Sequence, residues 1–378
     1  MPVRVVADAV GRFGRRGEGL LQLLAEAAEL ATEQTGRKTI DLLIVGHMSG
    51  GSLDESENVT AQLADRLGLE QASGFRVEAA SATGAAAFHA AAHAVAGGGF
   101  DRALVVAGEK MTNRPTADVA RALARSLAPQ EQAVGATMPG LAALIAQRVA
   151  AADPAAPTAW AQVTVQARKG ASENPSAQFR EAITVAEVEA SRPIALPLRL
   201  LHCSAVSDGA AAVVVERGTG PAEVLGMGEG FDSLMLSDRA ELTTFRATRL
   251  AARRAYEMAH LTRKSLDFAE LHDAFAPFAP IDLEDLGLCG PGEGAGWFLD
   301  GSTSREGRFP VNPSGGLLGR GHPVGASGLA QIAEVSRQLR GEAGSRSLPG
   351  PPRVGVAQSI GGLASHNFVT ILGSGGPP

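Results

Sequence analysis

The sequence predicts an α/β protein built from two similar halves, with a largely helical insertion carried on the first. Three observations lead there. Short apolar runs alternate with helical patterns up to about Thr112, the signature of strands and helices laid down in turn. From about Thr112 to Pro197 that rhythm breaks into helical stretches with scattered prolines. It then returns, and the remainder repeats the plan of strand, helix and strand around small residues. The implied boundaries are 1–217 for the first half, with the insertion at about 112–197, and 218–378 for the second.

In order, Val3–Val6 reads as a strand and Gly19–Gln34 as a helix. Asp41–Val45 is a compact apolar strand before the glycine-rich Gly46–Gly51. Glu57–Leu67 is helical, Arg76–Ala79 a strand, Ala82–Ala96 a helix of very small residues, and Ala103–Ala107 a buried strand. The insertion offers helices at Gly140–Ala151 and Ala159–Gly170. Gly209–Glu216 restores the strand rhythm. In the second half, Ala222–Gly226 is a strand, Thr243–Ala259 a helix and Phe268–His272 a strand leading to a loop. Ala326–Arg340 is a helix, and Val354–Gln358 and Phe368–Leu372 are closing strands.

Of the 378 residues 45% are apolar, chiefly Ala, Val and Leu, enough for a large core. The net charge of −6 offers no basic face for a phosphate backbone, which argues against nucleic acid as a partner. The two cysteines, Cys203 and Cys289, make no disulfide framework and fit a reducing cytoplasm. The opening Met-Pro-Val-Arg-Val-Val lacks a signal-peptide pattern, and no apolar run approaches the ~18 residues of a membrane span. The closing Gly-Ser-Gly-Gly-Pro-Pro reads as a frayed tail without a peroxisomal tripeptide.

Four segments carry chemistry. Asn312-Pro-Ser-Gly-Gly-Leu-Leu-Gly-Arg-Gly-His-Pro-Val-Gly-Ala-Ser-Gly328 is glycine-rich, runs into a helix, and fixes His322 between Gly321 and Pro323. Glu270-Leu-His-Asp-Ala-Phe-Ala276 sets His272 and Asp273 at a strand end, where acid–base or oxyanion work is done; a backbone-satisfied histidine reads as well there. Arg76-Val-Glu-Ala-Ala-Ser-Ala-Thr-Gly84 places Ser81 before a small-residue helix whose positive end activates nucleophiles; on its own it reads as a helix cap. Gly355-Val-Ala-Gln-Ser-Ile-Gly-Gly362 puts Ser359 at the tip of a strand ending in a glycine turn, by itself an ordinary turn serine.

Together, and with Gly108-Glu-Lys-Met-Thr112, Asn174-Pro-Ser-Ala-Gln-Phe179, Ser191-Arg-Pro-Ile-Ala195 and Leu198-Arg-Leu-Leu-His-Cys-Ser-Ala-Val-Ser-Asp-Gly209, these segments resemble the thiolase superfamily over nearly the whole chain. His-Asp-Ala-Phe at 272–275 is similar to its sterol-carrier-protein-x (lipid-transfer-protein) branch. The resemblance implies two α/β halves in a five-layer α-β-α-β-α sandwich, an excursion loop domain, a homodimer, and coenzyme A as thioester substrate with no covalently bound cofactor and no metal. It implies that Ser81 occupies the nucleophilic cysteine's place and Ser359 that of the acid–base cysteine. His322 would activate the nucleophile, His272 would serve an oxyanion hole, and Gly361, Gly362, Asp273 and Phe275 would contribute oxyanion or substrate contacts.

Serine holds its proton far more tightly than cysteine, so Ser81 needs a strong, well-placed base, and Ser359 makes a poor acid–base group. Three readings follow. Ser81 is acylated by an acyl-CoA and passes the acyl group on. Alternatively, His272 or His322 runs aldol or retro-aldol chemistry on a β-hydroxyacyl-CoA without an adduct, as the branch's cysteine-less aldolases do with a small OB-fold partner. The third reading is a CoA- or lipid-binding subunit without turnover.

Overall fold

The computed structural model describes residues 1–36, 39–53 and 57–375; the last three residues of the predicted tail lie outside them. The first half begins β1 (Val3–Val10), α1 (Leu20–Glu33), β2 (Leu42–Gly46), α2 (Val59–Leu67), β3 (Ser73–Val77), α3 (Thr83–Ala96) and β4 (Arg102–Glu109). The excursion that follows holds α4 (Thr116–Ala124), α5 (Pro129–Ala133), α6 (Met138–Ala152), α7 (Ala156–Ser172), α8 (Val185–Ala190) and the short pair β5 (Pro193–Ala195) and β6 (Leu198–Arg199). Strand β7 (Gly209–Arg217) closes the half. The second half runs β8 (Glu223–Phe231), α9 (Arg246–Ala259), β9 (Phe268–Glu270), α10 (Phe278–Asp285), α11 (Gly294–Leu299) and α12 (Gly316–Arg320). It ends with α13 (Val324–Arg340), β10 (Val354–Gly361) and β11 (His366–Gly373).

The strands bond in the order β3-β2-β4-β7-β1-β8-β11-β10-β9. Within it β2-β4-β7-β1 recurs as β9-β10-β11-β8, and the directions recur too: within each set of four only β7 or β11 opposes its neighbours, and β1 meets β8 antiparallel at the seam. The halves meet at a thin seam, where Arg4 pairs with Glu223 and the Val5 N–H donates to Ala222 O at 3.0 Å.

Helices α3 and α13 lie between the two half-sheets, with α3 against β2, β4 and β7 and α13 against β4, β7 and β10. Helix α1 covers the outer face of the first half, α9 that of the second, which makes five layers. Three apolar clusters fill the interfaces. One joins Leu24 and Ala28 to Leu104 and Val106. The central one joins Phe88 and Ala92 of α3 to Ile332 and Val335 of α13. The third ties the excursion's Trp160 to Phe278 and Ile371. The inner strands β2, β4 and most of β7 are buried on both faces, which is why they read as unbroken apolar runs.

The middle helices use small residues because two sheets and a partner helix leave no room. A Cβ on Gly84 would stand 2.6 Å from Leu329 N and 2.8 Å from Gly325 O. Strand β8 shows the same device, and it explains why the expected strand stopped at Gly226. Gly226, Gly228 and Gly230 face α9, where a Cβ would meet Ala255 O, Ala251 O and Ala247 O within 2.3 Å. Those glycines mark a close helix–strand approach rather than a strand end. The β3 register also differs from the expected Arg76–Ala79, since this exposed edge strand shows no burial alternation. Strand β9 ends at Glu270, two residues sooner than expected, and so releases His272 from the sheet.

Candidate active site

Ser81, His272 and His322 line one cavity of about 200 Å³. Strand β3 ends at Val77, and the chain turns sharply into α3 with Ala80 in the left-handed region at φ +49°. A residue with a Cβ costs about 1–2 kcal/mol there. Local bonds hold the turn: the Ala80 N–H donates to Glu78 Oε1 (2.6 Å), the Ala79 N–H to Thr83 Oγ1 (2.9 Å), and the Thr83 hydroxyl to Ala80 O (2.6 Å). Thr83 therefore ties the entry to α3, and no side chain caps the helix at Ala82. The Ser81 hydroxyl takes no hydrogen-bond partner among the described residues and sits on the cavity wall at the helix's positive end.

His322 lies between α12 and α13, where Gly321 at φ +101° turns the chain and Pro323 starts the helix. Its backbone N–H donates to Ser207 Oγ at 3.0 Å. Ring Nδ1 lies 2.7 Å from Ser327 Oγ, whose proton points to Pro323 O at 3.0 Å. A hydroxyl that donates to Pro323 accepts from Nδ1–H, which leaves Nε2 with the free lone pair. His272 follows β9. Its N–H donates to Gln358 Oε1 at 2.9 Å, and Gln358 Nε2 donates to Asp282 Oδ1 at 3.0 Å. The two imidazoles meet edge to face, 5.0 Å between centroids and 89° apart.

Both rings are neutral at physiological pH. Burial, with the Arg320 guanidinium adding repulsion, pushes His322 down to about 3. Burial, His322 and Arg320 together hold His272 well below the usual imidazole range. Arg320 is itself buried, donating to Ser314 Oγ at 3.1 Å and standing 3.8 Å from Glu270.

Not every residue expected at the site reaches the cavity. Phe275 and Gly362 line it, the latter at φ +62° past β10. Gly361 faces the neighbouring cleft instead, with Arg76 and Arg125. Asp273 turns inward, accepts from the Leu317 N–H at 2.6 Å and so anchors α12; burial raises its carboxyl to about 6. Ser359 also turns away: its buried hydroxyl points at Gly328 of α13 and has no partner among the described residues. Ile360, the next residue of β10, supplies the wall in its place. Cys203 does reach the wall, but burial pushes its thiol up to about 12, so no thiolate stands there at neutral pH. Among the described residues no cluster of three or more His, Cys, Asp or Glu side chains is arranged to hold a metal ion.

Sequence reasoning missed most of the wall. Met48, Met111 and Met138 line it, with Val119 and Leu123 of α4 and Phe278 of α10. Met48 and Met111 each follow closely on a buried strand, a placement that was legible in retrospect. Two buried carboxylates missed as well hold these loops. Glu109 accepts from the N–H groups of Met48, Ser49 and Gly325, each at 3.1 Å. Asp208 accepts from the Met111 N–H (2.7 Å), the Thr112 N–H (2.8 Å) and Lys110 Nζ (2.6 Å).

The molecule is thus a duplicated α/β sandwich with a serine and two neutral imidazoles on one cavity wall. The comparisons identify it. Residues 3–218 match the family model described as thiolase, N-terminal domain, and residues 228–374 the one described as thiolase C-terminal domain-like. An acetyl-CoA acetyltransferase of Methanothermobacter thermautotrophicus is 39% identical, the alignment covering 98% of this chain and 99% of that protein. Sterol carrier protein 2 of Oryctolagus cuniculus is 36% identical over 58% of this chain and 42% of its own length. The solved structure of an Ltp2-ChsH2(DUF35) aldolase superposes with a TM-score of 0.83 at 25% identity, over 99% of this chain and 98% of that one. The chain belongs to the thiolase superfamily of acyltransferases, on its sterol-carrier-protein-x-like branch.

Proposed function

We propose that the protein acts on acyl-CoA thioesters, with Ser81 as acyl acceptor and the neutral His322 and His272 as the groups that hold and polarise the thioester. The observation that carries this reading is the convergence of the three side chains on one cavity, with the Ser81 hydroxyl uncommitted to any cap. The lone pair assigned to His322 Nε2 suits it to take the serine proton, and Gly362, with its backbone turned at the cavity rim, suits the thioester oxygen. Ser359 and Asp273 are left out of the chemistry because both turn from the cavity. Rapid acid quench with acyl-CoAs, followed by peptide mass spectrometry, tests the proposal. An acyl ester on Ser81, lost in Ser81→Ala, supports it; turnover without any adduct overturns it.

A second reading is favoured by one specific observation. His322, pushed to about 3 chiefly by burial, is a weak proton acceptor, and a route without a serine ester asks one proton transfer fewer of it. In a non-covalent retro-aldol reaction, aldolase being the activity named for the Ltp2-ChsH2(DUF35) neighbour, His272 or His322 would take the β-hydroxyl proton as the Cα–Cβ bond breaks and a proton would return to the α-carbon, with no ester at Ser81. This reading brings a small OB-fold partner with it, and retro-aldol assays on β-hydroxyacyl-CoA with and without such a partner separate it from the first. Binding of CoA thioesters with neither adduct nor turnover would mark a non-catalytic subunit.

We further take the chain to work as a cytoplasmic homodimer with halves at 1–217 and 218–378. The unpaired outer edge of β3, whose Phe75 is exposed, suits a self-pairing surface. Among the described residues no helix is long and apolar enough to cross a membrane. Sedimentation of the purified chain reports the dimer directly.

A further inference from the structure

The cavity wall carries information about the substrate that the reacting groups do not. Three of the chain's seven methionines, Met48, Met111 and Met138, meet on it. Their backbones are pinned while their side chains stay adaptable. Met48 and Met111 hang from the Glu109 and Asp208 carboxylates, and Met138 opens α6 behind Thr137, whose hydroxyl accepts from the Gly140 N–H at 3.2 Å. Thioether side chains on a fixed frame fill irregular apolar shapes. Phe275 and Phe278 form a second apolar contact, their rings 5.2 Å apart.

Two quantities narrow the occupant. The cavity of about 200 Å³ is many times the roughly 10–15 Å³ that one water needs. Apolar wall left without a partner forfeits contact energy, and an acetyl group reaches little of it. The wall's charge is the other limit. Among the described residues, no Asp, Glu, Lys or Arg lines the cavity, and its two histidines are neutral. A carboxylate on the acyl chain would lose its water there and gain no counter-ion.

We infer that the cavity selects an uncharged, apolar acyl group several carbons longer than acetyl, against both acetyl and dicarboxylic acyl groups. The inference rests on the proposal that the protein takes CoA thioesters. The excursion sets this selection, since Val119, Ala120 and Leu123 of α4 and Met138 of α6 close one side of the cavity. Ala120 is the point where bulk can be added from a half-buried position, and Met138 the point where charge can be added.

The test is competitive binding of free CoA, acetyl-CoA, hexanoyl-CoA and succinyl-CoA to the full chain, followed in parallel by adduct formation or turnover. Hexanoyl-CoA is expected to bind at least about tenfold more tightly than acetyl-CoA, because each buried methylene adds about 0.8 kcal/mol. Succinyl-CoA is expected at least about tenfold weaker than hexanoyl-CoA. Ala120→Phe should erase the preference for hexanoyl-CoA over acetyl-CoA, and Met138→Arg should raise succinyl-CoA binding at least about tenfold. Acetyl-CoA binding as well as hexanoyl-CoA, or succinyl-CoA matching hexanoyl-CoA, overturns the inference while the acyl-CoA reading stands. No binding of any thioester or of CoA removes that reading and this inference with it.

Discussion

The two central helices, one from each half, begin at the same cavity but enter it under different constraint. The start of α13 is tied down on every side: His322 by Ser207 through its backbone and by Ser327 through its ring, and Gly325 by Glu109. The start of α3 is strained at Ala80 and tied by Thr83, yet the Ser81 hydroxyl takes no partner among the described residues. The difference separates two tasks. A group that must hold or accept a proton at a fixed point is best oriented beforehand, while a group that forms and breaks a bond gains nothing from a partner it must first release.

The largest effect expected from this asymmetry is at Ser81. Ser81→Ala should lower kcat at least about a thousandfold if the serine is acylated, with Tm moved by no more than about 2 °C because no hydrogen bond is lost. Steady-state kinetics beside thermal unfolding read both numbers. A kcat loss under tenfold would mean that Ser81 is no more bonded in the reaction than in the resting structure, and the non-covalent reading would take over.

Next in size is the contact between the helices themselves. Gly84→Ala drives a methyl against the backbone of Leu329 and Gly325, where neither neighbour can swing aside as a flexible side chain would. A loss of about 3 kcal/mol in urea unfolding is expected, with kcat falling further as His322 shifts relative to Ser81. An unchanged midpoint would show that α3 and α13 are not the close pair on which the comparison depends.

The duplicated plan, the excursion and the small-residue helices were legible because burial on both faces writes a plain pattern: unbroken apolar runs for β2 and β4, alanine and glycine for α3 and α13. The His322, His272 and Ser81 segments were legible for the same reason, since glycine turns and strand ends leave marks in sequence. The orientation of Ser359 and Asp273 was not, because a motif gives a position along β10 or after β9 but not the face a side chain takes. Nor was the methionine wall, which is assembled from Met48, Met111 and Met138 across two loops and a helix start with no shared spacing. Helices α4, α5, α8 and α10 to α12 escaped as short segments of at most nine residues, too brief for periodicity to declare them.

Asp273 anchors α12 through Leu317 just before His322, and burial raises its carboxyl to about 6 from the ordinary 3.8. Below pH 4 the acid is neutral in both the folded and the unfolded chain. Between pH 4 and 6 the unfolded chain gives up the proton while the folded one keeps it, so stability falls as pH rises, and above pH 6 the loss is complete. Asp273→Asn cannot ionise and should abolish that fall. The gap between variant and parent should change in the variant's favour by on the order of 3 kcal/mol across this window, read from urea midpoints at successive pH values. Parallel curves would mean that the folded chain does not raise the Asp273 carboxyl above its ordinary range.

The smallest expected effect sets the two serines against each other. Ser359 stands where sequence resemblance implies an acid–base group, yet its hydroxyl points at Gly328, away from the cavity, and lacks any partner among the described residues. A buried hydroxyl without a hydrogen bond costs about 1–3 kcal/mol, so its removal should relieve more than the small void it leaves takes away. Ser359→Ala is therefore expected to leave kcat and KM within about twofold and to leave stability unchanged or raise it by up to about 1 kcal/mol. A kcat loss comparable with that of Ser81→Ala would reverse this assignment, because it would require the Ser359 hydroxyl to turn through the strand toward the cavity when substrate arrives. That result would also bring the two serines back to one task, and the contrast between a free and a fixed side of the cavity would fail with it.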